Sequence, residues 1–126
     1  YAGIPITHRK LASNACLITG HECPDKGDSD LDYESLAKSR GTLAFYMGVL
    51  NMERICTNLV KHGLDGNTPA AIVQWGTTPK QRVVVGTVTT LPELAKQANL
   101  RPPAIIIIGE VVRLREDLDW FDPGRG

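Results

Sequence analysis

The run Ala104-Ile105-Ile106-Ile107-Ile108 is continuous rather than alternating, so it puts apolar side chains on both faces of whatever it forms. Isoleucine is β-branched, stiff at its first side-chain torsion and suited to a pleated surface. A strand that is apolar on both faces has to be covered on both, which predicts a place in the centre of a sheet with layers packed above and below it. No uninterrupted apolar stretch is longer than this one, which falls far short of the roughly 20 residues that cross a bilayer, so no membrane span is expected.

The remaining segments supply the other strands and the covering layers. Ala15 to Thr19 reads as a short buried strand, followed by a polar loop rich in Gly and Asp over residues 20 to 30. Asp30 is placed to cap a short helix with Tyr33, Leu36 and Ala37 on one face, ending near Gly41. Thr42 to Met47 reads as a second strand. Asn51 is placed to cap a helix whose apolar residues Met52, Ile55, Cys56, Leu59 and Val60 recur at spacings of 3 and 4, with Gly63 as terminator. Ala70 to Trp75 and Arg82 to Val88 are strands joined by a loop of hairpin length, Gly76 to Gln81. Thr90-Leu91-Pro92-Glu93 has the form of a capping box opening a helix through Leu94, Ala95 and Ala98, which Pro102-Pro103 stops. The alternation of strands and helices predicts an α/β layer of about five strands.

The 126 residues suffice for one domain, and at 42% hydrophobic and 22% charged they can build a core. Basic and acidic residues number 14 each, so no net field favours nucleic acid or an anionic membrane. Three cysteines, Cys16, Cys23 and Cys56, match no zinc-ligand spacing and fit a reducing, cytoplasmic setting. His21 and Cys23 form an H-x-C pair without a second pair elsewhere. Asp28, Asp30 and Asp32 copy the start of a calcium loop, but Tyr33 and Ser39 stand where Gly and Glu are required. No metal is therefore expected. The opening Tyr1 to Ile6 is apolar enough to read as the interior of a longer domain. No catalytic triad, phosphate-binding loop or dinucleotide fingerprint is present.

A set of islands carries more. Gly3-Ile4-Pro5-Ile6-Thr7-His8-Arg9, Ile18-Thr19-Gly20-His21-Glu22, Phe45-Tyr46-Met47-Gly48, Thr68-Pro69-Ala70-Ala71 with Trp75-Gly76-Thr77 and Gln81-Arg82-Val83-Val84, then Pro103-Ala104 and Gly109-Glu110-Val111-Val112, closely resemble the tetrapyrrole (corrin/porphyrin) methylases. Order and spacing resemble the uroporphyrinogen-III C-methyltransferase branch in particular. The resemblance runs from about residue 1 to Phe121 but covers only the second half of such an enzyme, the C-terminal lobe; the first lobe would precede Tyr1. It implies a five-stranded mixed sheet flanked by helices, in a two-lobed and usually homodimeric enzyme. That enzyme would move two methyl groups from S-adenosylmethionine to carbons 2 and 7 of uroporphyrinogen III, giving precorrin-2 on the way to sirohaem and cobalamin. Carried over by position, the methyl donor's contacts in this lobe fall on Met47, Gly76 and Ala104, with no catalytic acid or base in this segment.

Taken singly, Met47 fills cores, Gly76 forms turns and Ala104 packs; their joint occurrence in the motifs singles them out. Each falls at a strand end, where α/β sheets bind ligands. Arg9 is a candidate for substrate binding, because a guanidinium fork suits the carboxylates of uroporphyrinogen; a structural salt bridge is the alternative. Lys80 and Arg82 read as a solvated hairpin face. Two other readings stay open: another methylase of the corrin pathway or of diphthine, and a non-catalytic module for dimerisation or cofactor binding.

Overall fold

In the computed structural model, which describes residues 1–20 and 31–123, the strand of isoleucines does lie at the centre. The strands are β1 (Ala15–Thr19), β2 (Thr42–Tyr46), β3 (Pro69–Gln74), β4 (Arg82–Thr87) and β5 (Ala104–Ile108), in the spatial order β1-β2-β5-β3-β4. β1 and β2 are parallel; β5 runs antiparallel to both β2 and β3, and β3 and β4 form the expected antiparallel hairpin. The sheet is therefore mixed. The strands β1, β2 and β3 finish at the same end, where β4 and β5 begin.

Both faces are covered, as the uninterrupted apolar run of β5 requires. On one face Leu43, Phe45, Ile72, Ile106 and Ile108 pack against α1 (Tyr33–Lys38), α2 (Met52–Lys61) and α3 (Leu91–Gln97). On the other, Ala71, Val73 and Ile107 pack against Val112 and against Ala2 and Ile4 of the opening segment. A short 3-10 turn, Glu110–Leu114, and α4 (Arg115–Leu118) follow β5 on that second side. Tyr1 packs at a tilt against Trp120 and edge-on against Phe121, with ring centres 5.2 and 5.0 Å apart, and Arg115 donates to the Ala2 carbonyl.

α2 buries Met52, Ile55, Cys56 and Leu59 as its spacing predicts. Removing Ile55 or Leu59 from water contributes about 1.5–3 kcal/mol each. Its C-terminus closes as expected at Gly63 (φ +113°), with Leu64 N–H donating to Leu59 O at 2.9 Å and Gly63 N–H to Val60 O at 3.1 Å. Val60, assigned to the apolar face, is instead exposed.

Several expectations need correcting. β1 is an edge strand rather than a buried one, with Leu17 67% exposed. The cap of α1 is Asp32, whose carboxylate accepts from Ser35 N–H at 3.1 Å and from Ser35 Oγ at 2.8 Å; Asp30 lies outside the described residues, as do His21, Cys23 and Asp28. Those bonds from Ser35 hold the Asp32 carboxyl below its usual range. Thr90 does not form a capping box. Its hydroxyl turns back to accept from Thr87 N–H at 2.9 Å, closing the β4–α3 turn instead. α3 also ends before the prolines: Asn99 takes a left-handed conformation (φ +54°), and Leu100 N–H donates to Ala95 O at 3.0 Å.

Candidate functional site

The C-terminal ends of β1, β2 and β3 meet the start of β5, and three of the four residues singled out from the motifs converge there. Register pairs Tyr46 with Ile105 and Gln74 with Ala104, so the chain leaves β2 at Met47 and β3 at Trp75 on either side of Ala104. Trp75 N–H donates to Pro103 O at 3.0 Å, tying the turn after β3 to the segment that enters β5. Gly20, just past β1, donates to Tyr46 O at 2.6 Å.

The backbone at this end is unusual for its residue types. Met47 (φ +55°), Trp75 (φ +50°) and Thr77 (φ +69°) are left-handed without being glycine. Such residues are uncommon and gather where a fold holds a ligand or switch. Gly76 lies between two of them, and a Cβ there would meet Val73 Cγ1 at 3.3 Å. Met47 is not the last residue of its strand but the first beyond it, and its side chain is 63% exposed. Tyr46 and Trp75 are also exposed, giving the end an apolar rim. Lys80 Nζ stands 5.7 Å from the centre of the Trp75 ring. Arg82 donates to the Ala98 carbonyl at 2.7 Å, so the hairpin face is not simply solvated.

Two polar features were not visible in the motifs. Gln74 Oε1, on the residue that pairs with Ala104, is buried with no hydrogen-bond partner among the described residues. Asn51 stands at the N-cap position of α2 as expected, but its side chain makes no capping bond; Nδ2 donates instead to Gly20 O at 3.0 Å and holds the end of β1 against the start of α2. Sequence offered no signal for the Asn51–Gly20 bond or for the state of Gln74 Oε1, because both depend on how distant segments pair.

Arg9 is not brought to this end. It lies exposed in a tight loop closed by Ala12 N–H to His8 O at 2.9 Å and by the return bond His8 N–H to Ala12 O at 2.8 Å. That loop leads into the N-terminal end of β1, and its Leu11 lines a cleft with Gly41 and Gly109 at the opposite end of the sheet. Arg9 makes no ion pair among the described residues. A separate cleft of about 350 Å³ runs between α2 and α3, lined by Glu53, Cys56, Thr57, Pro92, Glu93 and Lys96 among others. Burial pushes the Cys56 thiol there up to about 12. Among the described residues there is no cluster of three groups able to hold a metal, and no helix is long and apolar enough to cross a membrane.

The ends of strands in an α/β sheet are where such folds commonly take ligands, and comparison with known proteins gives the family of this one. The family model of the tetrapyrrole (corrin/porphyrin) methylases matches residues 1–92. The siroheme synthase of Nitrosospira multiformis is 51% identical over 123 residues, 98% of this chain and 26% of that protein. That of Methylobacillus flagellatus is 50% identical over the same length. Among solved structures, uroporphyrin III C-methyl transferase from Thermus thermophilus superposes with a TM-score of 0.74 at 34% identity, over 90% of this chain and 47% of that one. A structure of the Thermus thermophilus enzyme complexed with S-adenyl homocysteine aligns with the same score. A cobalt precorrin-4 methyltransferase, at 22% identity and a TM-score of 0.77, shares the fold. The chain belongs to the tetrapyrrole methylases. It spans about a quarter of the length of the curated relatives it matches.

Proposed function

We propose that this chain is the C-terminal lobe of a uroporphyrinogen-III C-methyltransferase and forms one wall of its S-adenosylmethionine site. The supporting observation is the convergence of Met47, Gly76 and Ala104 on one sheet end, in a chain 34% identical to a uroporphyrin III C-methyl transferase. The reaction proposed is transfer of two methyl groups to carbons 2 and 7 of uroporphyrinogen III, giving precorrin-2 for the formation of sirohaem or cobalamin. A cytoplasmic homodimer is the assembly proposed for it.

The residues present suit such a donor. The absence of a side chain at Gly76 and the small one at Ala104 let a ligand approach the backbone, and Gln74 Oε1 is a buried acceptor with no donor among the described residues. When bound, S-adenosylmethionine supplies an activated methyl on a sulfonium whose departure leaves a neutral thioether. The lobe's own task is then positioning. Met47, Trp75 and the turn at Gly76 shape a rim that excludes water and fixes orientation, and such alignment is worth as much as about 7 kcal/mol or more of barrier. No side chain of this lobe has to move a proton. Arg9, at the other end of the sheet, is proposed to meet a carboxylate of a substrate broad enough to extend past the donor.

Product analysis tests the reading. Full-length protein supplied with methyl-labelled S-adenosylmethionine and uroporphyrinogen III is expected to yield a macrocycle labelled at carbons 2 and 7, and the lobe alone to yield none. Label on a later corrin intermediate and not on uroporphyrinogen III would assign the chain to another methylase of the family.

A further inference from the structure

Gln81 closes the turn that carries Gly76, and it does so from the interior. It is 6% exposed, whereas its place at the end of a hairpin loop predicts a solvated side chain. A buried primary amide is tolerated only when its polar ends are paired. Here Oε1 accepts from Thr77 N–H at 2.8 Å, and Nε2 donates to Tyr1 O at 3.2 Å. Trp75 N–H ties the start of the turn to Pro103 O, and the other bonds stay within the turn. Thr78 donates to Trp75 O from Oγ1 at 2.7 Å, Lys80 N–H donates to Thr78 Oγ1 at 3.1 Å, and Gln81 N–H donates to Thr78 O at 3.0 Å. None of them engages Thr77 N–H, which is left to Gln81.

Thr77 is the residue of the turn that most needs holding. It is β-branched and left-handed at φ +69°, a conformation its side chain disfavours. Without an acceptor for its N–H, Thr77 relaxes toward negative φ, and the peptide linking it to Gly76 rotates with it. We propose that Gln81 is a positioning residue for the donor site, clamping Thr77 in its left-handed form and tying the Gly76 turn to the opening segment at Tyr1. The role rests on the donor-site reading given above. It extends that reading to a residue set back from the rim, acting through the turn.

Full-length protein carrying Gln81→Met, which keeps the length of the side chain but neither polar end, is titrated with S-adenosylhomocysteine beside wild type, Thr77→Gly and the double variant. Loss of one bond of this kind predicts affinity weakened about fivefold in Gln81→Met. The Michaelis constant for the tetrapyrrole is expected to move by less than about twofold. Thr77→Gly in the Gln81→Met background is expected to restore most of the affinity, because glycine adopts the left-handed form unaided; general destabilisation would not be repaired in this way. Amide exchange at Thr77 is expected to be slow in wild type and fast in Gln81→Met. Gln81→Ala repeats the comparison if the methionine variant does not fold. Unchanged affinity in Gln81→Met, or a loss that Thr77→Gly leaves unrepaired, overturns the role while the donor site stands. A wild-type protein with slow Thr77 exchange that takes up no S-adenosylhomocysteine overturns the donor site, and the role falls with it.

Discussion

A Cβ placed on Gly20 would lie 2.7 Å from the Cα of Gly48, so the two glycines pack backbone against backbone where β1 and β2 end. A Cβ on Gly48 would meet the Cδ1 atoms of Ile55 and Ile106 at 3.1 and 3.2 Å. The first obstacle is main chain and cannot give way; the second is the tips of two side chains. Gly20→Ala is therefore expected to destabilise the fold by about 1–3 kcal/mol, the cost of overpacking, and Gly48→Ala by less. Urea unfolding of the two variants checks the order.

Ala104→Leu and Gly76→Val are each expected to weaken S-adenosylhomocysteine binding about tenfold or more, some 1.4 kcal/mol, in full-length protein that remains folded. Both positions lie at the proposed donor site; a Cβ on Gly76 also meets Val73 Cγ1 at 3.3 Å and Ala104 packs partly against the core, so the unfolding of each variant is measured beside its titration. Calorimetric titration of a folded variant with wild-type affinity would remove that residue from the site.

Arg9→Ala is expected to raise the Michaelis constant for uroporphyrinogen III and leave S-adenosylhomocysteine affinity nearly intact. The separation follows from Arg9 lying by the N-terminal end of β1 while Met47 and Ala104 lie at the other end of the sheet. Steady-state kinetics paired with donor titration reads it; equal losses in both would refute the division of labour.

Cys56 is buried, and burial pushes its thiol up to about 12, well above the ordinary thiol range. In the unfolded chain the thiol ionises near its ordinary value, so the unfolded state releases a proton that the folded state retains. Stability is therefore expected to fall as pH rises from about 9 toward 12. The decline should be shallower in Cys56→Ala, read as the difference between the two melting profiles. At pH 8 a thiol reagent is expected to spare Cys56 in the folded protein while modifying the less buried Cys16.

What could be read in advance followed local pattern. The central place of β5, the buried face of α2 and the β3–β4 hairpin each rest on a run of adjacent residues whose period or turn chemistry is self-contained. The helix ends were less legible. Asp30 was the expected cap of α1, and Asp32 takes that place by accepting from Ser35; Thr90 had a hydroxyl in the right place, but Thr87 competed for it. At the site, the motifs pointed to Met47, Gly76 and Ala104, and strand register accounts for their meeting. Arg9 shows the reverse case. It shares an island with apolar residues that cover the sheet, yet the loop from His8 to Ala12 carries it to the far end. Gln81, Gln74 and Asn51 were hidden because their importance lies in partners, or a missing partner, far along the chain.

Whether the rim at Met47, Gly76 and Ala104 receives the methyl donor is read from the amide chemical shifts of isotope-labelled full-length protein titrated with S-adenosylhomocysteine. The largest changes are expected at residues 47, 75 to 77 and 104, with Thr42 and Gly109 at the other end of the sheet unmoved. Changes centred instead on the α2–α3 cleft or around Gly109, or none at saturating ligand, would contradict the account.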